Sequence, residues 1–363
     1  MDGPSNSRAR LAMEHWGTRD DFKCARDYYT FPPLVPYHIE AITGRAQPYS
    51  LTWFEDFLCD TYLPPSVDRL ISLCCGFGDV ERYLANRGLF RECLAYDIAP
   101  GAIAGARRHA AEAGITTIRY EQADLNRTEL APESAEVVWA NGALHHIERL
   151  EHVVGQIYRA LRSSGVLVAG EYVGPDHNRP TPRQHELINA MIHMLPPRLR
   201  SSARLPGSTK SGRARFLTAA AVMQFNRGRA GDPPPPAAGR MGTVRQAIHT
   251  AGSASARLWP RDPFRFDELW RYDRRYFRKV DPSEGVRASD VIPVIRATFS
   301  DVEVRYHHGT LLIHALDGAF YDNFDADSAA DQAVLRSLVQ FERDAIERGE
   351  IVSENAVIIA RKP

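Results

Sequence analysis

The residues with the most chemistry to offer fall in a few short stretches. Leu73-Cys-Cys-Gly76-Phe-Gly78 carries a G-x-G turn. Glycine has no Cβ, so such a turn lets backbone amides and a ligand approach closely. Asp97 lies 19 residues beyond Gly78, at the end of an apolar run. In nucleotide-binding βαβ units an acid in that place takes up the two ribose hydroxyls; the alternative is a solvated turn aspartate. His145 and His146 follow another apolar run. An imidazole titrating near neutrality can accept a proton from a hydroxyl, and His146 is the favoured acid/base of the pair. A packing or structural hydrogen-bonding role for either histidine carries equal weight. Glu171 and Tyr172 end a further run and are expected to face the same crevice.

The turn itself selects among nucleotides. A dinucleotide site reads G-x-G-x-x-G, but here the sixth position is Glu81, and Asp79 directly follows the turn. Two acids beside a pyrophosphate would repel it. S-adenosylmethionine (SAM) has no phosphate and carries a sulfonium and an ammonium group, so an acidic turn suits it better. No G-x-x-x-x-G-K-[ST] loop is present, which sets aside P-loop chemistry. Asp176 and His177 follow Tyr172 closely, and His307 and His308, with Asp176 and Glu171, are further candidate metal ligands. No H-x-x-x-H or paired spacing joins them, so no metal is assigned, and His307 and His308 are read as a solvated turn.

Elements of alternating type must position these residues. Apolar runs at Leu70–Leu73, Cys93–Tyr96, Thr117–Glu121, Val137–Ala140 and Val166–Ala169 predict strands. Helical spacing falls at Val80–Ala85, Ala102–Ala113 and Leu150–Leu161, with Gly114 stopping the second helix and Gly165 in the turn after the third. Strands alternating with helices imply parallel crossovers and a sheet covered on both faces. Further on, Val291–Phe299 and Ser328–Gly349 predict helices, and Val302–Tyr306 and Ala356–Ala360 predict strands. The long helix has an apolar face of Val334, Leu335, Leu338, Phe341, Ala345 and Ile346.

Over residues 68–173 the chain resembles class I SAM-dependent methyltransferases, of the group with a Leu-His-His segment. The matching stretches are ISLCCGFGDVE (71–81), AYDIAP (95–100), QADLNR (122–127), ANGALHHIERLE (140–151) and LRSSGVLVAGEYVGP (161–175). Weaker similarity reaches DPSEGVRASDVIPVI (281–295) and ENAVIIARK (354–362), which resemble the tail of bacterial methyltransferases with a Glu-Tyr-Val-Gly-Pro signature. The resemblance implies an α/β Rossmann-like fold with a seven-stranded sheet and one reversed strand at its edge. It implies that Gly76 and Gly78 flank the methionine part of SAM, and that Asp97, with Ile98 beside it, holds the ribose. Asp124 would accept from the adenine amino group, Leu125 would lie near the ring, and Asn141 and Gly142 would border the cofactor. The family turn often begins with Gly where this chain has Cys74, which tightens the room beside the cofactor carboxylate.

The flanks are expected to serve as covers. Residues 1–66 are rich in aromatics, with a short helix around Leu51–Leu58, and read either as a helical cap packed on the core or as a lid over a ligand, roles that one cap can combine. Residues 67–175 form the SAM-binding core, 176–290 an acceptor-side insertion, and 291–363 the completion of the sheet. Within the insertion, 198–261 holds twelve Arg or Lys against the single acid Asp232, with apolar spacing only around Ala219–Phe225; structure is expected to resume by Phe264. This stretch attracts an anionic acceptor or simply reflects a surface loop rich in Arg, Ala, Pro and Gly. Five cysteines without a CxxC pair, no apolar leader and no long apolar span suggest a cytoplasmic protein without a membrane partner.

The expected function is methyl transfer from SAM, leaving S-adenosylhomocysteine, to an oxygen of a small or carbohydrate-like acceptor, in glycan or secondary-metabolite biosynthesis. Two alternatives stay open. One is methylation of RNA or another anionic acceptor guided by the basic segment, although no RNA-binding module is recognisable and nucleic acid is not the favoured partner. The other is a non-catalytic SAM-binding scaffold.

Overall fold

The computed structural model describes residues 10–14, 16, 28–29, 31–45, 52–200, 281–316 and 318–363. Its centre is a seven-stranded sheet: β1 (Val67–Leu73), β2 (Phe90–Asp97), β3 (Ile118–Gln122), β4 (Ala135–Asn141), β5 (Leu161–Tyr172), β6 (Asp301–Tyr306) and β7 (Asn355–Arg361), in the order β3-β2-β1-β4-β5-β7-β6. β1 to β5 run parallel, and β7 is antiparallel to both its neighbours. The reversed strand is therefore second from the edge, which corrects the expectation of an edge position. Composition gives the reason. β7 is buried on both faces through Ala356-Val-Ile-Ile-Ala360, whereas β6, Asp301-Val-Glu-Val-Arg-Tyr306, is half-buried in its middle and exposed at both ends. An alternating strand tolerates an edge, and a doubly apolar one requires neighbours on both sides.

Helices cover the sheet as the alternation requires. One face packs on α1 (Val35–Thr43), α2 (Trp53–Tyr62), α3 (Asp79–Asn86) and α4 (Pro100–Glu112). Leu70, Val137, Trp139, Val168, Val357 and Ile359 of the strands meet Ile42, Leu58, Leu84 and Ile103 there. The opposite face packs on α5 (Leu150–Ala160), through Val153, Val154 and Ile157, and on a later helix over Val291–Thr298. Between these two along the chain comes α6 (Pro182–Met194), which the sequence alone did not predict. Its start is a capping box in which Thr181 and Gln184 exchange side-chain and backbone bonds. Numbering onward, α7 is Val291–Thr298 and α8 is Ala329–Glu347, the latter capped by Ser328.

α6 and α8 share a separate apolar cluster with Tyr28, Phe31, Leu34 and Phe320. The buried face of α8 holds Leu335, Leu338, Val339 and Ala345, while Val334, Phe341 and Ile346 are half-buried at its margin. Gly165 lies within β5 rather than in a turn. Between the pairs Ala135–Leu161 and Val137–Val166 the register slips, and Ser164 takes a left-handed φ of 62°. A Cβ at Gly165 would sit 2.8 Å from the Arg162 carbonyl oxygen, so the bulge needs glycine there. The basic stretch, the Ala219–Phe225 segment and the expected resumption at Phe264 lie outside the described residues, apart from positions 198–200.

Candidate active site

Strand order reverses between β1 and β4, and ligands of open α/β sheets bind outside the carboxyl ends at that point. Gly76 follows β1 and Gly142 follows β4. Both have left-handed φ values (54° and 62°), and nothing lies within 4 Å of a Cβ built on either. They flank open space at the switch point. Gly78 differs: with φ of 75°, its Cβ would fall 2.4 Å from the Tyr120 hydroxyl oxygen. Gly78 thus lets the start of α3 close onto β3. Cys74 opens the turn at φ 54°, a conformation that costs an L-residue energy and suits glycine. Burial, then Asp97 and Glu171, push its thiol well above the ordinary range, so it stays neutral.

Asp97 knits the ends of β1 and β2 together. Its Oδ2 accepts from the Gly76 amide at 2.9 Å and its Oδ1 from the Ala99 amide at 2.8 Å. Burial raises its pKa, against the pull of those amides. Ile98 is half-buried beside it, and its carbonyl accepts from Gln122. After β3, Asp124 closes a local turn by accepting from the Asn126 amide and side chain (3.0 and 3.1 Å), and faces Arg127 at 3.6 Å. Leu125 is buried in the core. Asn141 is exposed at the end of β4, with its Oδ1 lying over Gly170 next to the ring of Phe54 from α2.

Of the two acids flanking the turn, only one stands in the open. Asp79 is exposed and pairs with Arg82. Glu81 is buried, hydrogen-bonded to Ser72 of β1, and pushed up to about 7 by that burial. The expectation of two acids facing a ligand beside the turn is corrected for Glu81, which turns from α3 into the core against β1.

The histidines stand on a 3-10 turn, Leu144–His146, after β4. Glu171, at the end of β5, lies wholly buried beneath that turn. It accepts from the amides of Ala143, Leu144 and His145 (2.9, 2.8 and 3.3 Å) and from His145 Nδ1 at 2.7 Å. Glu171 therefore supports the turn from below instead of lining the crevice. Tyr172 packs its ring edge-on against His145, and its hydroxyl donates to the Pro175 carbonyl. Burial pulls His145 down, but the bond and charge of Glu171 outweigh it and the pKa is raised. Burial, followed by the neighbouring His145, lowers His146.

The loop 281–290 brings the partners that the sequence reading missed. Ser283 Oγ lies 3.2 Å from His146 Nδ1 and donates to Asp281 Oδ1 at 2.5 Å. Glu284 faces both rings, its Oε1 4.0 Å from His145 Nε2 and its Oε2 3.8 Å from His146 Nε2. The loop is clipped to the turn Asp176–Asn178: His177 N donates to Gly285 O, Asn178 Nδ2 to Glu284 Oε1, and Ser289 to Asp176. Arg287 ties it to Glu151 on α5. Trp16 roofs the centre, donating to Asp281 Oδ2 at 2.9 Å and meeting His146 edge-on. Met13, three residues earlier, touches Gln122 at the β3 end. The only signal in the sequence for this loop was the family-like DPSE segment, which named no partner.

His307 and His308 are not a solvated turn. Both are withdrawn from water where β6 ends beside Asn355, and burial drives them down to about 3 and about 4. Neither joins Asp176 or Glu171. Among the described residues, the group that does converge is His145, His146 and Glu284.

Comparison with known proteins places methyltransferases among those the chain is similar to. Residues 71–169 match the family model described as a methyltransferase domain. A malonyl-[acyl-carrier protein] O-methyltransferase of Enterobacter lignolyticus is 31% identical over 142 residues, 38% of this chain and 54% of that protein. A sterol 24-C-methyltransferase of Eremothecium gossypii is 24% identical over 199 residues, 52% of this chain and 51% of that protein. The chain thus spans about half the length of these curated relatives. Among solved structures, an S-adenosylmethionine dependent methyltransferase from Mesorhizobium loti is 27% identical with a TM-score of 0.31, covering 36% of this chain and 58% of that one.

Proposed function

We propose that this chain, whose residues 71–169 match a methyltransferase domain, transfers a methyl group from SAM to an oxygen of a small, carbohydrate-like acceptor. The residues present fit the cofactor. Gly76 and Gly142 leave open space at the switch point, with Asp97 at the end of β2 and Asp124 in the turn after β3 beside it. In this reading Gly76 and Gly78 cradle the methionine part, Asp97 with Ile98 holds the ribose, Asp124 and Leu125 border the adenine, and Cys74, Asn141 and Gly142 line the remainder. Bound SAM supplies an electrophilic methyl carbon on a sulfonium.

The observation that carries an oxygen acceptor is the centre beyond β4 and β5. A hydroxyl must shed its proton as its oxygen attacks, whereas an unprotonated amine needs no such help. His145, His146 and Glu284 are the groups gathered to manage that proton, with Glu171 and Tyr172 positioning the first of them. Trp16 above and Phe54 at the strand ends limit water, which favours attack on the methyl over hydrolysis. Holding oxygen and methyl carbon in line supplies much of the rate.

The test is calorimetric titration of SAM and S-adenosylhomocysteine into the wild type and Asp97→Ala, followed by acceptor pools with methyl-labelled SAM. Binding should weaken on the order of 100-fold in the variant, where a charged hydrogen-bond acceptor is lost. Label should enter hydroxylated small molecules in alkali-stable form. Equal binding by the variant would remove Asp97 from the site, and label found only on amines or RNA would overturn the oxygen acceptor.

A further inference from the structure

We propose that His145, His146 and Glu284 bind a divalent first-row transition-metal ion at the acceptor end of the crevice. The proton positions on the two rings follow from their partners. Glu171 accepts three backbone amides as well as His145 Nδ1, so that nitrogen is the donor. Ser283 Oγ donates to Asp281, so it accepts from His146 Nδ1. Both Nδ1 atoms are thereby committed as N–H groups, and in the neutral rings both Nε2 atoms carry lone pairs. Those lone pairs face the two oxygens of one carboxylate, at 4.0 and 3.8 Å. Two lone pairs and a carboxylate converging in a half-buried space repel one another until a proton on one ring or a cation between them relieves it, and a cation satisfies all three groups at once.

The three groups have the chemistry and spacing for a metal ion. Their ligand atoms all lie within 4.8 Å of one another. Ligands around a tetrahedral zinc-like ion sit roughly 3.4 Å apart, so rotamer adjustments of about half an ångström close the set. Two imidazoles and one carboxylate suit zinc, iron or cobalt better than magnesium or calcium, which prefer all-oxygen sites. Each ligand also has the outer support typical of metal centres: Glu171 behind His145, Ser283 and Asp281 behind His146, and Asn178 on Glu284 at 2.8 Å.

This inference rests on the reading that an acceptor oxygen docks here, and it gives that oxygen a partner. An ion with three protein ligands keeps a position open. A hydroxyl coordinated there would be made acidic enough to lose its proton to water near neutral pH, and its oxygen would attack the methyl carbon of SAM as the methyl–sulfur bond breaks and S-adenosylhomocysteine leaves. In that arrangement the imidazoles manage the proton through the ion they hold.

Cobalt(II) is the probe, because its visible ligand-field absorption reports coordination without any turnover. The chelator-treated full chain should bind one equivalent in the micromolar range, with absorption typical of four- or five-coordinate nitrogen and oxygen ligation. Glu284→Gln, on a half-buried loop, should weaken binding on the order of 100-fold. Asn178→Ala, which touches no ion, should weaken it about 10-fold. Absence of saturable binding, or equal affinity in wild type and Glu284→Gln, would overturn the site. SAM titration of the same samples keeps the two questions apart. SAM binding without cobalt binding sinks the metal centre alone, and cobalt binding without SAM binding sinks the cofactor reading alone.

Discussion

The two halves of the crevice are built by different means. The half beyond β1–β3 is shaped by backbone: left-handed residues at 74, 76 and 78, and one carboxylate, Asp97, gripping two amides across neighbouring strands. The half beyond β4, β5 and β7 is shaped by buried polar side chains drawn from distant parts of the chain, with Glu171 under the histidine turn and Trp16, Ser283 and Glu284 around it. A shared cofactor can be met by a fixed backbone. A particular acceptor has to be met by side chains that can change while the sheet stays the same.

The contrast breaks most readily at Glu171. Removing its carboxylate in Glu171→Ala strands three buried amides and the His145 ring nitrogen together. Each orphaned donor costs on the order of 1 kcal/mol or more, so urea unfolding should register a loss of about 4 kcal/mol. Glu171→Gln retains an acceptor oxygen and should lose distinctly less. A drop below about 1 kcal/mol in the alanine variant would mean that the turn stands without its support and that the two halves are not so different.

This difference in construction also decides what could be read from sequence. The strands and helices of 68–173 were legible because apolar periodicity switches cleanly there, and Asp97 was legible because its place is fixed relative to a glycine turn. β7 was legible as a strand but not in its position, since pairing partners leave no local signal. Burial on both faces, visible in Ala356–Ala360, was the clue to an interior place. Glu81 was misread because charge alone suggested exposure, while its helical phase put it opposite Ser72. Glu284 could not be found at all: it meets His145 and His146 only because a loop more than a hundred residues downstream is clipped to Asp176–Asn178.

Glu81 sharpens the comparison through pH, being a buried charge in the otherwise backbone-built half. Its carboxyl is pushed up from 4.5 to about 7 by burial. A raised folded-state value means that its contribution to stability is complete below about pH 4.5 and is lost as pH rises through about 7. The cumulative difference is about 3 kcal/mol, at 1.36 kcal/mol per unit. Wild type should therefore lose stability relative to Glu81→Gln between those pH values and run parallel to it outside them, as followed by unfolding midpoints across pH. Parallel curves throughout would show that Glu81 stays ionised and solvated. A smaller effect is expected at Gly78→Ala, where the new methyl meets the Tyr120 hydroxyl and ring at 2.4 to 2.8 Å in a left-handed backbone. About 2 kcal/mol should be lost. Tyr120→Phe should restore only part of it, because the ring carbons remain.

Cys74 offers the smallest and most discriminating test of a backbone-built site. Its φ of 54° is one that glycine adopts freely and other residues do not. Replacing Cys74 outright would mix two effects, because the side chain also packs against the core. Comparing Cys74→Gly with Cys74→Ala separates them, since both lose the thiol and only alanine retains a Cβ. Gly should be more stable than Ala by about 1 kcal/mol, the left-handed penalty less the extra freedom glycine gains when unfolded. SAM affinity should hold or rise in the glycine variant, because the room beside the cofactor's carboxylate widens. If alanine equals or exceeds glycine in both measurements, the turn's conformation is set by contacts of the side chain and not by the backbone preference argued for this half of the crevice.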